Sequence, residues 1–217
     1  MVRWGLRLLL LLAALGAGAL ALQTVVHPVS TLMAARWLTG QPVDRRWVPL
    51  SAVSPKLVAS VILSEDGQFC HEHGIDLSAL RKVIGDGDGA PTRGASTITM
   101  QVVKNLFLWP GRSYVRKALE IPLAVLLDAV WGKRRVLEAY LNVAEWGEGI
   151  YGIEAAAQDR FHVAAAALTT RQAALLATAL PNPVLRSVVR PSRRHRQLAQ
   201  RIVDMLPIAG PHVACVE

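Results

Sequence analysis

Cysteine is nearly missing from this chain: Cys70 and Cys215 are the only two in 217 residues. That is too few for the disulfide framework of a small secreted scaffold, and no bridge between them is predicted. No Cys and His spacing matches a metal site, and His71 and His73 stand too close in sequence to form a convincing pair on a helix face. Alternation of apolar and polar residues with period two is almost absent, so a mainly α-helical domain is expected. There is no internal repeat. Acids are outnumbered, 16 against 24 Lys and Arg, for a net charge of +8. Such a charge suits an anionic partner, either nucleic acid or a lipid surface.

What is present first is an apolar run. Leu8 to Leu22 holds only Leu, Ala and Gly, and Val25 and Val26 extend it toward the roughly 20 residues that a bilayer-spanning helix needs. Arg3 and Arg7 precede it and no further Lys or Arg follows until Arg36, which places the N-terminus in the cytoplasm and the rest outside. A cleaved signal peptide is the rival, with Ala19-Leu20-Ala21 as its cleavage site; a retained anchor is preferred. The expected layout is a cytoplasmic N-terminus (1–7), a transmembrane anchor (8–26), a linker (27–48) and one globular domain (49–217). Tethered outside the cell membrane, the basic domain meets lipid headgroups and phosphorylated lipids, and nucleic acid is not expected as a partner.

The densest ionisable stretch is Ser64 to Gly74, which follows the apolar helix Leu57–Leu63. A carboxylate where that helix leaves the core is partly desolvated, which raises its pKa toward that of a general base. By spacing alone, Glu65 and Asp66 also read as solvated acids at a helix end. Asp76 caps a following helix. Gly85 to Pro91 can hold neither helix nor strand and reads as a lid-like loop; its aspartates lack the further ligands of a calcium site.

Gly94 to Asn105 reads as a helix with Ser96 near its start and with Thr97, Gln101 and Lys104 on one side. That side suits a phosphate or a sugar, or is simply a solvated stripe. Arg112, Arg116 and Glu120 share a helix face with Lys117 beside it; such cations bind diphosphate through charge-assisted bonds. Pro122 is expected to kink or loosen this helix, and Gly132 to break it. Gly147 to Gly152 matches G-x-G-x-x-G but follows a helix, so no dinucleotide site is expected. Helices over Glu154–Arg160, Thr170–Leu180 and Ser192–Leu206 complete the chain, the second opened by a capping box of Thr169 and Gln172. Arg186, Arg190, Arg193, Arg194, Arg196 and Arg201 make the C-terminal part basic, for solubility or for docking on a bilayer.

Together these segments resemble the family 51 peptidoglycan glycosyltransferases, whose domain is lysozyme-like and helical. The resemblance rests on Glu65-Asp66 with Phe69, His73 and Gly74; on Gly94, Ser96-Thr97-Ile98, Gln101, Lys104 and Asn105; on Arg112, Arg116-Lys117 and Glu120; and on Glu138, Tyr140, Leu141 and Asn142. It implies polymerisation of lipid II into β-1,4 glycan strands, with inversion and loss of undecaprenyl diphosphate. It further implies that Glu65 is the general base and Glu120 a second catalytic carboxylate. Lys104, Arg112, Arg116 and Lys117 would hold the diphosphate, and Asp66, Ser96 and Gln101 would line the substrate cleft. No cofactor is required; a divalent cation, Mg or Mn, would fall to Glu120. The implied partners are lipid II, the nascent strand, inner-membrane lipids and other cell-wall synthesis or division proteins. Met100, Gly111 and Pro122 depart from the family pattern, at positions given no catalytic role. The rivals are a lytic glycan-cleaving enzyme of the same fold, which needs no diphosphate-binding cations, and a non-catalytic cell-wall scaffold.

Overall fold

Apolar residues recurring at helical spacing set the architecture. The computed structural model describes Gly18 and residues 25–85, 96–111 and 113–217. These form helices α1 (Thr31–Leu38), α2 (Pro55–Glu65), α3 (Leu77–Gly85), α4 (Ile98–Phe107), α5 (Tyr114–Val143), α6 (Ile153–Phe161), α7 (Thr170–Ala179), α8 (Arg193–Met205) and α9 (Gly210–Val213). Three short strands accompany them: β1 (Asp44–Arg45), β2 (Glu145–Gly147) and β3 (Ile150–Tyr151). The domain is mainly helical, and strands this short leave no alternating pattern in a sequence. The sheet runs β1-β3-β2, parallel between β1 and β3 and antiparallel between β3 and β2.

Helix α4 packs chiefly along α5, α2 against α7, and α7 against α8. Leu57, Val61 and Ile62 of α2 and Ile98, Val102 and Val103 of α4 are buried; each such side chain contributes about 1.5–3 kcal/mol relative to exposure. Ala173, Ala174 and Ala177 of α7 are fully buried, and their small side chains let α2 and α8 approach closely. The capping box of Thr169 and Gln172 opens α7 as expected.

Residues 27–48, expected as a linker, are instead built into the domain. Met33 of α1 is fully buried, the Thr31 hydroxyl donates to the Leu108 carbonyl at 2.8 Å, and β1 joins the sheet. Asn142 locks the join: its Nδ2 donates to the Val48 carbonyl and its Oδ1 accepts from the Val48 N–H, each at 2.9 Å. Glu138 accepts from the Leu50 N–H at 3.0 Å. The partners of this stretch lie far along the chain, so local pattern does not reveal them.

Helix α5 meets one expectation, the break at Gly132, and departs from another, at Pro122. Its backbone leaves helical geometry at Gly132, at φ 69° and ψ 164°, whereas Pro122 sits within the helix without a break. Proline's fixed φ suits a helix and costs it one N–H bond, while only glycine takes a positive φ without strain. A glycine is equally required at position 74, where φ is +82° and an added Cβ would stand 2.4 Å from the Ala124 carbonyl oxygen.

Cys70 and Cys215 are bonded as a disulfide across a separation of 145 residues, contrary to the expectation of none. Two cysteines make no framework, yet a single bridge needs only that folding bring their Cα atoms close, here to 5.4 Å. Among the described residues no helix is long and apolar enough to cross a membrane. The expected anchor 8–26 lies outside them apart from Gly18, Val25 and Val26, as does the loop 85–91 apart from Gly85. Replacing both cysteines by serine is expected to lower stability by about 2–5 kcal/mol, the range for closing a long loop, measured as a loss of denaturation midpoint without reductant.

Candidate active site

Glu65 is the last residue of α2, where the helix leaves the core. Burial pushes its carboxyl above the usual 4.5, opposed by the hydrogen bond from Gln101 and by the charges of Arg186 and Lys104. Gln101 Nε2 donates to Glu65 Oε2 at 3.1 Å, and Gln101 Oε1 accepts from the Tyr140 hydroxyl at 3.1 Å. The order is forced: a flipped amide would set its oxygen against the carboxylate. The second oxygen, Oε1, is buried and has no hydrogen-bond partner among the described residues.

Across the site, Lys104 of α4 has its pKa lowered by burial and by Arg116 and Lys117, while Glu120 and Glu65 pull the other way. It lies within electrostatic reach of both carboxylates. Lys117 Nζ donates to the Ser96 hydroxyl at 2.7 Å and stands 3.3 Å from Glu120 Oε2, while Arg116 pairs with Glu120 Oε1. Glu120 is buried and holds these cations in place. Three cations thus face two carboxylates, Glu65 and Glu120, leaving positive charge for an anionic ligand. Arg112 lies outside the described residues.

A divalent cation at Glu120 does not fit this arrangement. Both its oxygens are engaged by Arg116 and Lys117, and no group of three His, Cys, Asp or Glu among the described residues can hold a metal. Asp66, read as a cleft residue, accepts from the Ile98 N–H at 2.9 Å and so fixes the start of α4 beside Glu65. Burial raises its carboxyl to about 6. Thr97 caps α4 and donates to the Gly74 carbonyl at 2.7 Å, so this hydroxyl serves the fold. A cavity of about 310 Å³ opens beside Glu65, lined also by Asp66, Gly67, Ser96, Thr97 and His212.

Several features here left no mark in the sequence. Arg186 is near enough for its charge to act on Glu65, although in sequence it is one of many C-terminal arginines. Lys133, just past the Gly132 turn, is sandwiched between Glu72 Oε1 at 3.0 Å and Asp128 Oδ1 at 2.8 Å, with its Nζ 4.7 Å from the Phe69 ring centroid. Burial raises Glu72 to about 7 against the pull of Lys133.

A desolvated carboxylate with surplus cations near it is an arrangement that suits group transfer. The comparisons agree. The transglycosylase family model matches residues 31–206. The chain is 57% identical over 192 residues to the biosynthetic peptidoglycan transglycosylase of Agrobacterium fabrum, covering 88% of this chain and 85% of that one. It is 53% identical over 215 residues to the protein of that name from Brucella suis, covering 98% and 96%. Against the one from Rhizobium meliloti it is 56% identical over 192 residues, covering 88% and 81%. The chain belongs to the transglycosylase family.

The buried acids set a pH dependence of stability. Glu72 and Asp66 have folded pKa values of about 7 and about 6, above their ordinary 4.5 and 3.8. The stability they contribute is complete below the ordinary values and is lost as pH rises through the folded ones. Between pH 4 and 7.5 the Tm of Glu72→Gln is expected to fall less with rising pH than that of the unsubstituted protein; parallel curves would exclude Glu72.

Proposed function

We propose that this peptidoglycan glycosyltransferase polymerises lipid II into β-1,4 glycan strands, and that Glu65 is its base. The observation that carries the reading is the pairing of a desolvated Glu65 with the cations Lys104, Arg116 and Lys117. Glu65 takes the proton from the 4-hydroxyl of the acceptor sugar. That oxygen attacks the anomeric carbon of the growing chain, the bond from this carbon to the diphosphate oxygen breaks, and undecaprenyl diphosphate departs with the electron pair. A diphosphate needs no proton to leave, so cations take the place of a glycosidase's general acid. Glu120 acts by orienting Arg116 and Lys117 rather than by touching the sugar. A lytic enzyme would have no use for such cations.

The lysozyme-like helical fold and the setting belong to the same reading. The run Leu8–Val26 behind Arg3 and Arg7 supports a single-pass inner-membrane protein with its N-terminus in the cytoplasm and its domain in the periplasm. The Cys70–Cys215 disulfide suits an oxidising compartment.

With labelled lipid II, Glu65→Gln is expected to slow polymerisation about 10²–10⁴-fold while substrate still binds; appreciable turnover would remove Glu65 as the base. Lys104→Ala is expected to weaken donor binding about tenfold or more. If only acceptor affinity changed, the diphosphate would lie elsewhere.

A further inference from the structure

The C-terminal segment that follows α8 lies beyond the matched residues 31–206, yet it reaches the Glu65 cavity. Ala209, Val213 and Val216 bury their side chains in the core, and Cys215 is bonded to Cys70, five residues past Glu65. Between these anchors His212 lines the cavity, and its Nδ1 stands 2.7 Å from the carbonyl oxygen of Gly67. A carbonyl only accepts, so Nδ1 carries the proton and donates. Gly67 is two residues past Glu65, in the turn that also carries Asp66. A glycine turn has the widest backbone freedom of any residue, and no side chain of its own to pack. Its carbonyl is held from outside, by a ring that is tied down covalently three residues later.

We propose that His212 is a positioning residue of the Glu65 site. The disulfide and the buried Val213 and Val216 seat α9, the His212 ring grips the Gly67 carbonyl, and that bond fixes the turn at the end of α2 so that Glu65 keeps its aim into the cleft. The C-terminal segment is therefore a part of the site that the family match does not cover. This inference rests on Glu65 as the base. Displacing a base by an ångström or less acts on turnover rather than on substrate binding.

The experiment compares full-length His212→Ala, His212→Asn, His212→Gln and Cys215→Ser in the labelled lipid II assay, each normalised to folded protein, with Glu65→Gln assayed alongside. Asparagine can set its Nδ2 donor near the place of Nδ1, whereas the longer glutamine places its donor near Nε2. The expected result is a fall in kcat of about tenfold for His212→Ala, His212→Gln and Cys215→Ser, with KM within about twofold, and recovery to within about threefold of the unsubstituted enzyme in His212→Asn. Independently of turnover, nitrogen NMR of the unsubstituted protein should show the His212 ring protonated at Nδ1. Unchanged kcat in His212→Ala, a rise in KM alone, equal losses in the Asn and Gln variants, or an Nε2-protonated ring would each overturn the proposal. Retained activity in Glu65→Gln would instead remove the base assignment, and the NMR result would still report on the His212 bond.

Discussion

A partly desolvated carboxylate that keeps a directed hydrogen bond from Gln101 is the constraint around which the domain is arranged. Glu65 occupies the end of a buried helix, and Tyr140 and Gln101 pass a fixed donor-to-acceptor order along to its Oε2. Desolvation raises its basicity, and the Gln101 bond, with the charges of Arg186 and Lys104, moderates the rise without removing it. Tyr140 is fully buried on α5 and Gln101 sits on α4, so the packing of these two helices sets the geometry of the base. Loosening their contact would let water back to Glu65 and return it to an ordinary, weaker carboxylate.

The same two helices carry the opposing charge. Lys104 rises from α4 and Arg116, Lys117 and Glu120 from α5, so the cations share the two helices whose Gln101 and Tyr140 hold Glu65 in place. Burial of Glu120 between Arg116 and Lys117 holds the cations near one another against their repulsion. The Lys133 cluster repeats the pattern with the signs reversed, one cation between two acids, beside the Phe69 that follows the Glu65 turn. Buried pairs of this kind are costly to break from one side, since the remaining charge stays desolvated. They hold the stretch from Glu65 to Gly74 from below while the disulfide and His212 hold it from the C-terminal side.

The sequence by itself determined the helical class, most helix limits and which residues stand as candidates for the site. Helices ten or more residues long announce themselves by spacing, and capping residues such as Thr169 and Asp76 mark their starts. Glu65, Gln101, Lys104, Arg116, Lys117 and Glu120 were legible as candidates because polar and charged types stand in the family's order across three short stretches. Tertiary structure alone decided what depends on contacts distant in the chain. It joined Cys70 to Cys215, brought Arg186 and His212 to the site, turned Asp66 inward to Ile98, wove residues 27–48 into the domain, and carried α5 through Pro122 without a break. The physical reason is range: periodicity and capping act over one or two helical turns, whereas burial, ion pairing and bridge formation are set by which surfaces meet once the helices have packed.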